Sequence, residues 1–234
     1  LGATLHPLEE AARFLVGTDR DCTIVDVSWF KPFELELLCP TDDIIVTDAD
    51  VLNAEMYSVL EKEIKKHRTT LIFTNTRSGT ERVVHNLSKR FSDGEIAAHH
   101  GSLSRETRWD VEERLKEGKL KAVVCSTSLE LGIDIGHIDY VIQIGSPKSV
   151  TRCVQRMGRS GHNVKDRARG AIVALDRDDI VECAIMLKSI REHFLDSFKV
   201  PENCLDILAQ HIVGMSLNRK WKVDEALTLI RKSY

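Results

Sequence analysis

The sequence predicts an α/β fold in which a mainly parallel sheet carries helices on both faces. Three observations predict it. Short apolar runs stand at 71–73, 95–98, 122–125, 140–144 and 171–175, and stretches with apolar residues at helical spacing lie between them. The connections between runs and helices are short, and alternation of this kind yields parallel strands buried on both sides. Hydroxyl, amide and glycine residues collect where the runs end, the place where an open parallel sheet holds its ligands.

The elements follow in order. Leu5, Leu8, Ala12 and Leu15 mark a short helix, with Pro7 in its first turn and Gly17 past its end. Residues 33–37 alternate Phe33, Leu35 and Leu37 with Glu34 and Glu36 between Pro32 and Pro40, which suits an edge strand or a crossing linker. Leu52, Met56, Val59, Leu60 and Ile64 predict a helix capped by Asp50. Ser78-Gly79-Thr80-Glu81 reads as a capping box for a helix bearing Val84, Leu87 and Phe91. Ser104 caps the next helix, which runs through Trp109 and Leu115 and stops at Gly118. After Asp176 the pattern is purely helical, at 180–194, 205–215 and 226–230, with Pro201 as a break.

Composition narrows the function classes. The 33 Lys and Arg nearly balance 36 Asp and Glu, so a nucleic-acid surface has to be local. One such region holds Lys148, Arg152, Arg156, Arg159, Lys165, Arg167 and Arg169, with Asp166 as the only acid. The six cysteines are far apart and form no C-x-x-C pair, which argues against a metal site or a disulfide framework and for reduced, mostly buried thiols. No apolar run reaches membrane-span length and no signal peptide opens the chain, so a cytoplasmic protein without a membrane partner is expected. The first residue is Leu1, which suggests a cut fragment.

The octet 155–162, Gln-Arg-Met-Gly-Arg-Ser-Gly-His, puts Arg156 and Arg159 at the end of a helix beside Gly158 and Gly161. Guanidinium forks match phosphate oxygens, so this arrangement can reach a phosphate; a basic, glycine-rich surface turn is the plainer alternative. Asn75 and Thr76, then His100, Gly101 and Ser102, then Ser126 and Thr127 fall at successive run ends, where they could grip a nucleic-acid backbone or simply cap helices. Further on, Gly132 permits close approach to a ligand, and Asp134 could accept from a ribose hydroxyl or hold an arginine.

Taken together, these motifs resemble the second RecA-like domain of superfamily 2 ATP-dependent helicases. Gly2-Ala3-Thr4 resembles motif III, 71–77 motif IV, His100-Gly101-Ser102-Leu103 the backbone-binding motif that follows, 126–134 motif V and 155–162 motif VI. The spelling of the last two, with Ser-Leu-Glu-Leu-Gly-Ile-Asp at 128–134, is similar to the large helicase-related (Lhr) family, and residues 203–210 resemble the start of its winged helix. The resemblance implies a RecA-like, P-loop NTPase-type sheet followed by the helical start of a winged-helix domain. Its expected segments are 1–20 (end of the first RecA-like domain), 21–50 (linker or edge strand), 51–176 (second RecA-like domain) and 177–234 (helical linker and partial winged helix).

The same resemblance implies a 3′-to-5′ DNA helicase acting on single-stranded or forked DNA, with Arg156 and Arg159 as arginine fingers. Gly132, Asp134 and Gln155 would lie near the nucleotide. Asn75, Thr76, His100, Gly101, Ser102, Ser126 and Thr127 would contact the strand, with Ala3 and Thr4 coupling the two. ATP with Mg2+ would be held mainly by the first RecA-like domain, because the carboxylates that bind the ion precede motif III while Asp48 and Asp50 follow it. Gly118-Lys119 is no phosphate loop either, and this chain alone is expected to be inactive. In many members the octet ends in arginine, and His162 cannot supply that permanent charge, which puts the weight on Arg159. An RNA helicase, a remodelling ATPase and a non-catalytic binding module stay open as alternatives.

Overall fold

A computed structural model describes residues 2, 4–26, 32–131, 136–161 and 167–234. It divides into two compact units, one of Trp29–Leu195 and one joining Leu1–Ser28 with Asp196–Tyr234. In the larger unit the strands are β1 (Phe33–Leu38), β2 (Thr70–Phe73), β3 (Ile96–His99), β4 (Ala122–Cys125), β5 (Tyr140–Ile144) and β6 (Ala168–Val173). They form one sheet in the order β1-β6-β5-β2-β4-β3, with every pairing parallel.

Alternation along the strands explains why both faces must be covered. Leu71, Phe73, Val123, Cys125, Val141 and Ile172 point into one core, which includes Val111, Leu115, Cys153, Met157 and Met186. These last residues come from the helices α4 (Arg105–Lys116), α5 (Val150–Met157) and α6 (Arg177–Arg191). Ile72, Val124, Ile142, Ala171 and Val173 point into the other core, against Met56, Leu60 and Ile64 of α2 (Ala49–Lys66) and Val83 and Leu87 of α3 (Arg77–Leu87). The helices after β2 and β5 therefore cover opposite faces. The carboxyl ends of these two neighbouring strands are therefore the switch point at which an open parallel sheet holds its ligands.

Several local expectations are corrected. Asp48, not Asp50, precedes the first residue of α2. Thr76 caps α3 by accepting from the Gly79 N–H, so Ser78 lies inside the helix. β6 begins at Ala168, earlier than the apolar run, because Arg169 sits exposed among buried residues where the strand meets its edge partner β1. The sheet-bearing unit outgrows residues 51–176 at both ends: β1 pairs with β6, and α6 buries Cys183, Met186, Leu187 and Ile190. Only Cys125, Cys153 and Cys183 are buried, while Cys22, Cys39 and Cys204 are exposed. Burial pushes the Cys153 thiol up to about 12, so it stays protonated at neutral pH.

The smaller unit contains α1 (Leu8–Val16), α7 (Leu205–Asn218) and α8 (Val223–Ile230). Phe14 meets Phe198 edge-on at 5.9 Å, and the Thr18 N–H donates to the Lys232 carbonyl at 2.9 Å. Among the described residues no helix is long and apolar enough to cross a membrane.

Gly170 marks a close approach between β6, β5 and α5. A Cβ there would lie 2.5 Å from the Val141 carbonyl oxygen and 2.7 Å from Met157 Sδ. Gly170→Ala should cost about 1–3 kcal/mol, read as a lower midpoint in urea unfolding; an unchanged midpoint would mean that β5, β6 and α5 are not in this close contact.

Candidate nucleotide and nucleic-acid site

Because the strands are parallel, the loops after β2, β4, β5 and β3 share one edge, and the side chain that joins the first three is Arg156. It stands in the last turn of α5 and is 1% exposed. Its Nε and Nη2 both reach Glu130 Oε2 at 2.9 Å, and Nη1 donates to Gln143 Oε1 at 2.6 Å. A longer contact of 3.5 Å runs from Nη1 to Asn75 Oδ1, and the guanidinium carbon lies 5.1 Å from the Phe73 ring centroid. Glu130 follows β4, Gln143 is the last residue but one of β5, and Asn75 follows β2, so one cation binds near the ends of three strands.

The switch point between β2 and β5 is tied in the same way. Asn75 Nδ2 donates to the Ser146 carbonyl at 2.8 Å, while the Ser146 N–H donates to Asp179 Oδ1 at 3.1 Å. Asp179, itself buried, also accepts from the Leu175 N–H at 3.3 Å, joining the loops after β5 and β6. Such fully occupied donors and acceptors fix loop positions without help from a ligand.

In this structure Arg156, expected as an arginine finger, is an internal tie: at 1% exposure its guanidinium is turned to carboxylate and amide partners within the protein. Arg159 is different. It lies just beyond α5, partly exposed, and desolvation lowers its proton affinity while Glu130 opposes that shift. A half-desolvated, permanent cation of this kind gains from an approaching anion. Gln155, beside Arg156 on α5, is also partly exposed.

The strand-facing candidates separate similarly. Thr127 and Gly101 are exposed, whereas Ser126 is 6% exposed. Ser102 is exposed and accepts from Arg77 Nη1 at 2.8 Å. His100 turns inward: it is 4% exposed, its Nε2 meets Glu81 Oε1, and its Nδ1 accepts from the Ser102 N–H. Both of its ring nitrogens are thus engaged within the protein, and the hydroxyl of the exposed Thr76 accepts as the α3 cap. Thr4 belongs to the smaller unit. Ala3, Gly132, Asp134 and His162 lie outside the described residues.

Sequence reasoning missed Glu130 and Gln143. Gln143 is the one polar residue in the strand Tyr140–Ile144 and is 0% exposed, so a buried partner was legible there; Glu130 sits between Leu129 and Leu131 with the same implication. Among the described residues no group of three or more His, Cys, Asp or Glu side chains is gathered as a metal ion would require.

Comparison with known proteins adds to this geometry. The family model described as "Helicase conserved C-terminal domain" matches residues 53–163, and that of the "Large helicase-related protein, winged helix domain" matches 188–234. The chain is 58% identical over 242 residues to the ATP-dependent helicase Lhr-Core of Methanothermobacter thermautotrophicus and 52% identical over 234 residues to that of Methanocaldococcus jannaschii. Each similarity covers 100% of this chain, which spans 28% of the length of either relative. The solved structure of the Mycobacterium smegmatis helicase Lhr bound to ssDNA and AMP-PNP superposes with a TM-score of 0.92 at 35% identity, over 100% of this chain and 31% of that one.

Removing Arg156 would take the close partner from the buried Glu130 carboxylate and leave it the more distant Arg152, whose Nε lies 3.8 Å from Oε1. Arg156→Ala should therefore lower unfolding stability by about 3–5 kcal/mol, while Arg159→Ala changes it by less than about 1 kcal/mol; equal effects in chemical denaturation would contradict the distinction between the two arginines.

Proposed function

Since the chain belongs to the Lhr family of ATP-dependent helicases and contains the helicase C-terminal domain, we propose that it serves as the second motor domain of a 3′-to-5′ DNA helicase. Its arginine finger is Arg159. Supporting this reading above all is the Arg156 tie: it fixes the loops after β2, β4 and β5 relative to the helix that ends beside Arg159. A change in how those loops sit on a strand then moves the finger, and a change at the finger moves the loops.

The chemistry divides between this chain and the first RecA-like domain of the parent protein. ATP with Mg2+, when bound by that domain, supplies the phosphoryl group whose hydrolysis drives translocation. The donors here fit the anionic side of such a ligand: Arg159 is a partly desolvated guanidinium, and at the γ-phosphate it would stabilise charge that develops as the terminal bond breaks. Gln155 is the neighbouring polar candidate, and Gly132 and Asp134 complete the proposed nucleotide side. The strand side consists of the exposed Thr127, Gly101, Ser102 and Asn75 with the buried Ser126 beside Thr127, contacting backbone without reading sequence. Thr4, with Ala3, would couple the two motor domains, and 177–234 would form the helical linker and the start of the winged helix.

Single-stranded or forked DNA is the proposed partner, in keeping with the DNA-bound Mycobacterium smegmatis relative. A cytoplasmic place and a part in DNA repair belong to the same proposal. The chain by itself is expected to turn over no ATP. In the parent helicase, Arg159→Ala should lower DNA-stimulated ATP hydrolysis by about a thousandfold or more while strand affinity stays within a few-fold; turnover near that of the wild type would overturn the assignment.

A further inference from the structure

A second buried tie lies on the far side of the same edge, around a side chain that neither the nucleotide nor the strand reading uses. His99 ends β3 and is 1% exposed. Its Nδ1 lies 2.7 Å from Ser128 Oγ, in the loop after β4, and its Nε2 lies 3.0 Å from Glu112 Oε1 on α4. Burial lowers the proton affinity of the ring, Arg108 and His100 act in the same direction, and Glu112 opposes them. In the neutral ring Nε2–H donates to Glu112, and Nδ1 is left to accept from the Ser128 hydroxyl. That hydroxyl also lies 2.7 Å from the His99 carbonyl oxygen, so in either orientation it stays bonded to residue 99.

Residue order gives this chain of contacts its consequence. Thr127 is exposed while Ser128, the next residue, is half-buried, so fixing Ser128 sets where Thr127 faces. Glu130, whose N–H donates to the Thr127 carbonyl at 3.1 Å, is held from the other side by Arg156. The loop tip is thus pinned at both flanks. Through Glu112 the outer pin reaches α4, the helix that begins at Arg105 just past the 100–102 loop.

We infer that His99 is a positioning residue: with Ser128 and Glu112 it locks the loop after β4 against β3 and α4, so that Thr127 and the 100–102 loop meet the nucleic-acid strand in fixed register. This inference rests on the proposal that these loops contact the strand. It concerns strand affinity, not phosphoryl transfer, and it therefore separates two quantities that a general loss of structure would lower together.

The test uses the parent helicase and oligothymidylate as the probe, reading the oligonucleotide concentration for half-maximal ATPase stimulation and kcat at saturation. Ser128→Ala and Glu112→Ala should each raise that concentration about fivefold to tenfold, the scale of one lost hydrogen bond, with kcat unchanged and the melting temperature lowered by no more than a few degrees. Ser128→Thr and Glu112→Gln, which keep a hydroxyl and an acceptor, should restore it. An unchanged half-maximal concentration in Ser128→Ala, or a loss of kcat in step with melting temperature, would overturn the inference. Thr127→Ala, measured alongside, tells the two failures apart: if it also leaves strand affinity intact, the strand-contact reading falls as well, whereas weakened binding in Thr127→Ala alone removes only the role of His99.

Discussion

A buried guanidinium is the constraint on which the rest of this edge depends. Arginine cannot shed its charge, so Arg156 at 1% exposure has to be surrounded by acceptors, and the protein supplies Glu130 and Gln143 with Asn75 at longer range. Each acceptor comes from a different strand end. What would be a costly desolvation in an apolar core becomes a device that fixes three loops against one helix. Arg159, three residues on and past the helix end, is partly exposed.

The sheet supports this arrangement by leaving few alternatives. Parallel strands with side chains buried on both faces put every loop after a strand on one edge, and helices that leave β2 and β5 toward opposite faces make their carboxyl ends the switch point of the sheet. Polar ties then join the loops there: Asn75 to Ser146, Ser146 to Asp179, and on the outer side Ser128 to His99 to Glu112. Exposed groups such as Thr127 and Gly101 stand on loops whose neighbours are already bonded. A ligand would thus meet a preorganised surface and lose less to ordering it.

Much of this was legible in the sequence, for identifiable reasons. The runs at 122–125 and 140–144 are strands with the boundaries their apolar residues imply, and Ser104 caps α4 as its position before Arg105 suggests. Cap positions in α2 and α3 were misplaced because several Ser, Thr and Asp residues adjoin each start and local spacing does not choose among them. The roles of Arg156 and His100 were not legible. A motif gives the order of side chains along the chain, while direction is decided by partners distant in sequence, Glu130 and Gln143 for one and Glu81 for the other. Buried polar residues inside apolar runs were the available signal, and Gln143 is its clearest instance.

The central claim, that Arg156 and Glu130 act as one internal unit, is tested most directly by a double-mutant cycle on unfolding free energy with Arg156→Met and Glu130→Leu. The account predicts that the double variant is much less destabilised than the sum of the singles, with a coupling of about 2 kcal/mol or more, because removing both charges leaves neither one buried alone. Additivity within about 0.5 kcal/mol would contradict it and return Arg156 to the surface as a candidate ligand-binding side chain.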